Sequence, residues 1–188
     1  MERIKELYKH ELARFEVQKN NIHRLWNINQ KTAELLFTLV LVTKPKKILE
    51  IGTSNGFSTF WLSIAAERCD ASVDTIEVDI ARFNLAKKNL KTRKNVIQRY
   101  GKAELIIPEL KGRYDLVFLD AGKVNYINYI TQLLNKLKKD AIVIADNVIS
   151  HKSSVKEYLD FVTKSELFEA VTLEIDSGIN IATYCPKK

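Results

Sequence analysis

The chain has 188 residues, enough for one domain and too few for two comfortable ones. Hydrophobic residues make up 46% and charged residues 28%, which excludes both a disordered and a membrane-embedded composition. The net charge of +7 admits an anionic partner such as RNA without establishing one.

The first residues, MERIKELYKHELARFE, alternate charged and apolar side chains and lack the apolar block of a secretory signal. Ile4, Leu7, Leu12, Phe15 and Ile22 recur at roughly helical spacing, and 32–42 reads as an apolar helix stopping before Pro45. No apolar run approaches the roughly 20 residues a membrane helix needs. Cys69 and Cys185 are the only cysteines, too few for a disulfide framework, so a cytoplasmic setting is expected.

From Lys47 onward strands and helices alternate. Strand-length apolar runs fall at 48–51, 73–78, 96–100, 116–119, 141–145, 170–175 and 179–184. Helical patterns fill 57–67, 81–92, 102–110, 126–137 and 153–164. Such alternation predicts an α/β fold with a doubly wound, mostly parallel sheet covered on both faces. The last run follows the turn Asp176-Ser177-Gly178 and is expected as an antiparallel hairpin partner. The expected organisation is one domain, with a helical cap over 1–44 and the α/β core over 45–188.

The most informative stretch is ILEIGTSNGFSTFWLS, residues 48–63. A buried strand runs into a tight loop, Gly52 to Gly56, and a helix begins near Phe57. Glycines there let a ligand approach the backbone, and the free N–H groups of the helix start suit a carboxylate. The spacing is E-x-G-x-x-x-G, with Ser54 where the dinucleotide fingerprint needs its second glycine, so a nicotinamide or flavin nucleotide is disfavoured. Glu77 ends the next strand 25 residues after Gly52, where an acid can accept hydrogen bonds from both ribose hydroxyls of an adenosine. Alone, each feature is common in α/β proteins; together in one βαβ unit they point to a nucleoside-type cofactor.

Two further strands end in acids: YDLVFLD in Asp120 and AIVIADN in Asp146-Asn147. If the strands are neighbours, two carboxylates and one amide oxygen converge at the carboxyl edge of the sheet, a donor set that suits Mg²⁺ or Ca²⁺. Alternatively the two acids only cap the helices that follow. Lys123 can reach the same cavity or be a solvated lysine. His151, four residues past Asn147, is a candidate base, whereas His10 and His23 read as surface or helix-packing residues. Between Ala81 and Lys102 lie Arg82, Lys87, Lys88, Lys91, Arg93, Lys94, Arg99 and Lys102 with no acid. That run is either the solvated face of a helix and its turn or a nucleic-acid footprint, and no RNA-binding motif accompanies it.

The segments ILEIGTSNGFSTFWL, TIEVD, YDLVFLDAGKVNY, IVIADNV and DSGINIA resemble, in order and spacing, the metal-dependent O-methyltransferases of the catechol and caffeoyl-CoA type, over about residues 22–185. The resemblance implies a class I, Rossmann-like sheet of seven strands in the order 3-2-1-4-5-7-6 and S-adenosylmethionine as cofactor. It implies a small hydroxyl acceptor of catechol type and a divalent cation, Mg²⁺ in the first instance. Asp120, Asp146 and Asn147 match the metal ligands, and Lys123, with Asp120, the catalytic pair that helps deprotonate the acceptor hydroxyl. Gly52, Thr53, Ser54 and Ser58 match positions around the methionine part of the cofactor, Glu77 the ribose acid and Ala103 the turn beside the adenine. Glu50, Gly56, Val78 and Asp120 complete the expected cofactor-binding set, and 27–32 resembles the stretch that closes over the site. The chain departs from the pattern at Gly122, where relatives carry an acid, and in its short segment after ADNV. Rival expectations are an RNA methyltransferase on the same scaffold, a metal-independent enzyme using His151, and a non-catalytic cofactor-binding protein. The apolar residues of the N-terminal helices also leave room for a homodimer.

Overall fold

A computed structural model of the chain describes residues 1–19, 25 and 27–187; the expectations for Ile22 and His23 lie outside them. The helical opening is α1 (Glu2–Leu7), α2 (Lys9–Lys19) and α3 (Gln30–Thr43). The core then runs β1 (Lys47–Ile51), α4 (Phe57–Glu67), β2 (Ser72–Glu77), α5 (Ile80–Asn89), β3 (Val96–Tyr100), α6 (Ala103–Ile106), β4 (Tyr114–Leu119), α7 (Tyr126–Leu133), β5 (Leu137–Asp146), α8 (Lys156–Lys164), β6 (Phe168–Leu173) and β7 (Ile179–Tyr184). The seven strands form one sheet in the order β3-β2-β1-β4-β5-β7-β6, with β7 antiparallel to both neighbours. No described helix is long and apolar enough to cross a membrane.

Because side chains alternate across a strand, each strand feeds two cores. Ile48, Leu116, Phe118 and Ile144 face one side and pack with Leu36, Phe60 and Trp61 of α3 and α4. Leu49, Val117, Val143 and Ala145 face the other and pack with Tyr126, Ile130 and Tyr158 of α7 and α8. Burial on both faces explains why these strands read as unbroken apolar runs. The N-terminal helices close the first core: Phe15 meets Phe57 and Phe60 at ring distances of 5.4 and 5.6 Å, and Tyr8 meets Phe60 edge-on. Leu7 and Val17 stay outside.

Several boundaries shift by two or three residues from the sequence reading, among them the end of α5 and the starts of α8 and β6, and three larger differences have a local cause. The helix expected over 102–110 ends at Ile106 and tightens to a 3-10 turn at Ile107–Glu109, where Pro108 lacks the N–H that would continue it. The helix expected to run to 137 gives way at Leu134–Lys136 to another such turn. Strand β5 starts at Leu137 rather than 141, because its first residues pair with Tyr114 across a register shift while the exposed Lys139 and Asp140 hide the apolar pattern.

Helix α3 starts with no side-chain hydrogen bond from its own N-cap, Asn29. A distant acid replaces it: the Thr32 backbone N–H (3.2 Å) and hydroxyl (2.7 Å) both donate to Asp176 Oδ2 in the β6–β7 turn. A carboxylate at a helix N-terminus is favoured by the free N–H groups and the dipole. Asp176→Ala is expected to cost about 1 kcal/mol, the typical value of a lost N-cap, with Asp176→Asn costing less. Urea denaturation of both variants checks this, and an unchanged midpoint for the alanine variant would refute it.

Candidate active site

All the parallel strands present their carboxyl ends to one edge, and the acids expected there meet in one cleft. Register pairing sets Leu119 of β4 beside Ala145 of β5, so Asp120 and Asp146 leave adjacent strand ends. Fully buried Tyr126 ties those ends together, its hydroxyl lying 2.8 Å from the Leu119 carbonyl oxygen and 3.2 Å from that of Asp146. Tyr126 is the last residue of YDLVFLDAGKVNY, and its part is to fix where the two acids stand. A cleft of about 620 Å³ is lined by Asp120, Asp146, Asn147, Lys123 and His151 at one end and by Gly52, Ser54 and Glu77 at the other. Ile28, Thr32 and Asp176 contribute a further wall.

The loop after β1 takes its shape from unusual backbone. Gly52 has φ +108°, Ser54 +50° and Gly56 +89°. The Ser54 N–H donates to Glu77 Oε2 at 2.7 Å and the Asp79 N–H to Oε1 at 2.9 Å, so the strand-end carboxylate is held at both oxygens. Each oxygen keeps a lone pair for a second donor. The Ser54 hydroxyl is buried and has no partner among the described residues. A second cavity, of about 320 Å³, adjoins the cleft and includes Ile76, Ala103, Glu104 and Tyr129. Gly52, Glu77, Val78, Ala121 and Gly122 line both. Half-exposed Val78 gives the pair an apolar surface at their junction, and Gly122, lacking a side chain, narrows neither.

Other residues of the expected cofactor set, some in the loop and some flanking it, lie outside the lining of both cavities: Thr53, Gly56, Ser58 and Glu50. Glu50 is fully buried; Thr59 and Thr75 donate to its Oε2, and Oε1 has no partner among the described residues. Burial pushes its carboxyl above the ordinary range. Thr53 joins this group through its hydroxyl, 2.5 Å from that of Thr75. Gly56 serves packing, since a Cβ there would meet Leu90 Cδ1 at 2.9 Å.

At the acidic end, Lys123 Nζ donates to Asp120 Oδ1 at 2.6 Å. Burial pushes the Asp120 carboxyl up to about 7, with Lys123 opposing and Asp146 adding to the rise. Burial also raises Asp146, against an N–H from Asn147. Asn147 has φ +62°, a conformation asparagine tolerates better than most residues. Two acids at adjacent strand ends, largely withdrawn from water, favour a cation beside them, and with Asn147 on the same cleft wall these residues could offer the oxygen donors that a hard ion takes. No cluster of three His, Cys, Asp or Glu side chains placed to hold a metal occurs among the described residues. His151, on the cleft wall, is exposed, with Nδ1 2.9 Å from the Ser150 hydroxyl.

The basic run divides. Arg93 pairs with Glu67 and Arg99 with buried Asp74, so both serve the fold. Arg82 lines the cleft, a placement its sequence context does not signal. Nothing local announces Tyr129 in the smaller cavity, whereas Asp176 on the cleft wall opens the segment DSGINIA.

The strand order, helices on both faces and joined cavities at the carboxyl edge define a Rossmann-like, class I methyltransferase fold. Solved structures of that fold superpose closely. The SAH-bound methyltransferase PaMTH1 of Podospora anserina matches at a TM-score of 0.86 and 18% identity, over 94% of this chain and 88% of that one. TomG of Streptomyces achromogenes, an O-methyltransferase of tomaymycin synthesis solved with SAM, matches at 0.82 and 24%, over 96% and 89%. The sequence model of the O-methyltransferase family matches residues 3–180, and the chain belongs to that family. A catechol O-methyltransferase of Mycobacterium tuberculosis is 34% identical over 128 residues, 65% of this chain and 57% of the relative's own length.

Proposed function

We propose that this chain is an S-adenosylmethionine-dependent O-methyltransferase acting on a small, catechol-like hydroxyl acceptor with the help of a divalent cation. The observation that carries the reading is one continuous space, with the Glu77 carboxylate at its nucleoside end and Asp120, Asp146, Asn147 and Lys123 at its reacting end. The similarity to a catechol O-methyltransferase supports the acceptor class.

The residues fit the cofactor. Glu77 accepts from ribose hydroxyls, Val78 and Ala103 cover the base in the smaller cavity, and the unpartnered Ser54 hydroxyl binds the amino-acid end. When bound, S-adenosylmethionine supplies a methyl group activated on a sulfonium. Asp120, Asp146 and Asn147 would hold the cation, whose chemistry is Lewis acidity toward a coordinated hydroxyl. Lys123 holds or moves the acceptor proton at Nζ. Buried Ile28 on the cleft wall excludes water, which strengthens every charge interaction inside. Orientation of the acceptor oxygen toward the methyl supplies up to about 7–11 kcal/mol of the barrier.

The test is incubation with methyl-labelled S-adenosylmethionine and Mg²⁺, separately with a pool of catechols and with bulk tRNA, each with and without EDTA. Label in the catechol pool, lost with EDTA, is the expected result. Label in tRNA instead overturns the acceptor, and EDTA-resistant label overturns the cation.

A further inference from the structure

Behind the loop that carries Ser54, a set of three amides joins elements far apart in sequence. Gln18 of α2 donates from Nε2 to Asn89 Oδ1 at 3.0 Å. Its Oε1 accepts from Asn89 Nδ2 at 2.8 Å and from Asn55 Nδ2 at 3.2 Å. Asn89, the last residue of α5, also donates to the Asn55 carbonyl oxygen at 2.8 Å, and Asn55 Oδ1 accepts from the Phe57 N–H at 3.3 Å. Asn55 and Asn89 are buried, and Gln18 covers them.

Asn55 sits between Ser54 and Gly56, both in left-handed backbone. The loop therefore has little conformational preference of its own for this shape, and it must be held from outside. On the cleft side Glu77 holds it by the Ser54 N–H. On the opposite side the amide set is the grip, and Gln18 supplies three of its bonds. A buried amide that loses its partner costs more than the bond is worth, so removing Gln18 favours another loop conformation.

We infer that Gln18 is a positioning residue for the cofactor, so that docking of α2 sets affinity for the nucleoside cofactor while leaving acceptor recognition alone. The inference rests on the cofactor reading above. It implies reciprocity: a ligand that prefers the held loop must in turn favour the docked helix.

The test is calorimetric titration of S-adenosylhomocysteine into the full chain and three variants. Gln18→Met keeps the side-chain length and removes all three bonds. Gln18→Glu keeps both acceptor bonds from Asn55 and Asn89 and loses the donor. Val17→Ala changes an exposed neighbour on the same helix. The expected order of affinity is wild type and Val17→Ala together, then Gln18→Glu, then Gln18→Met, the last weaker by roughly tenfold, the effect of about one buried hydrogen bond. The KM for acceptor stays put while that for S-adenosylmethionine rises. Hydrogen exchange at α2 amides slows on ligand addition in wild type and does not in Gln18→Met, a response that loss of stability alone would not remove. If Gln18→Met does not fold, Gln18→Glu against wild type decides. Equal affinities in wild type and the folded Gln18 variants overturn the inference and leave the cofactor reading standing. A wild-type chain that binds no S-adenosylhomocysteine overturns both.

Discussion

Gly52→Ala is expected to abolish measurable S-adenosylhomocysteine binding and to destabilise the fold by about 3 kcal/mol or more. Two costs combine. At φ +108° the position lies where a side chain is strained whatever the surrounding space, a cost of order 1–3 kcal/mol. The added Cβ would also stand 2.5 Å from the Asp120 carbonyl oxygen and 2.7 Å from its carbonyl carbon. Both are backbone atoms and cannot swing aside like the end of a side chain. The change therefore forces apart the end of β1 and the end of β4, the strand that delivers Asp120, and distorts both halves of the cleft at once. Gly112→Ala isolates the first cost: its φ is +79°, but the new Cβ would meet only Lys47 Nζ, at 3.7 Å. That variant is expected to lose about 1 kcal/mol and bind as wild type does. Urea denaturation and calorimetry on the pair separate strain from site damage. A Gly52→Ala protein that binds within about threefold of wild type would show that the β1–β4 contact does not shape the cofactor site.

What the sequence makes legible is what depends on local pattern. Strands buried on both faces must be apolar without interruption, so an acid closing such a run, as in YDLVFLD and AIVIAD, marks the functional edge of the sheet. Glycines and a strand-end acid 25 residues apart fall within one βαβ unit, and the cleft indeed has Gly52 and Glu77 on its wall. The seven-stranded order follows the family resemblance and is what the structure has. What sequence cannot display is the support for these parts. Thr32 and Asp176 are 144 residues apart and Gln18 and Asn89 71 apart, so no local pattern shows that either pair meets. Glu50 and Ser58, whose motif positions imply cofactor contact, are buried and line neither cavity.

Lys123→Ala is expected to lower kcat by roughly 10²–10⁴-fold, the range for loss of a positioned proton-transfer group, with S-adenosylhomocysteine affinity unchanged within about threefold. Lys123 is in direct contact with one of the two acids, 2.6 Å from Asp120 Oδ1, and its side chain is largely buried on the cleft wall. Two roles are open to it: carrying positive charge beside the acceptor oxygen, or moving that oxygen's proton. Lys123→Arg tells them apart, because a guanidinium keeps the charge and cannot be deprotonated in a protein. If Nζ moves the proton, the arginine variant is as slow as the alanine variant. If charge alone matters, arginine restores turnover to within about tenfold of wild type, apart from losses due to its longer, planar head. The measurement is single-turnover methyl transfer at saturating S-adenosylmethionine, with the acceptor identified by the labelling assay, so that binding and product release do not mask the chemical step. Wild-type turnover in the alanine variant would remove Lys123 from the reaction, and the work of handling the acceptor's proton would pass to another titratable group on that wall, such as Asp120 or His151.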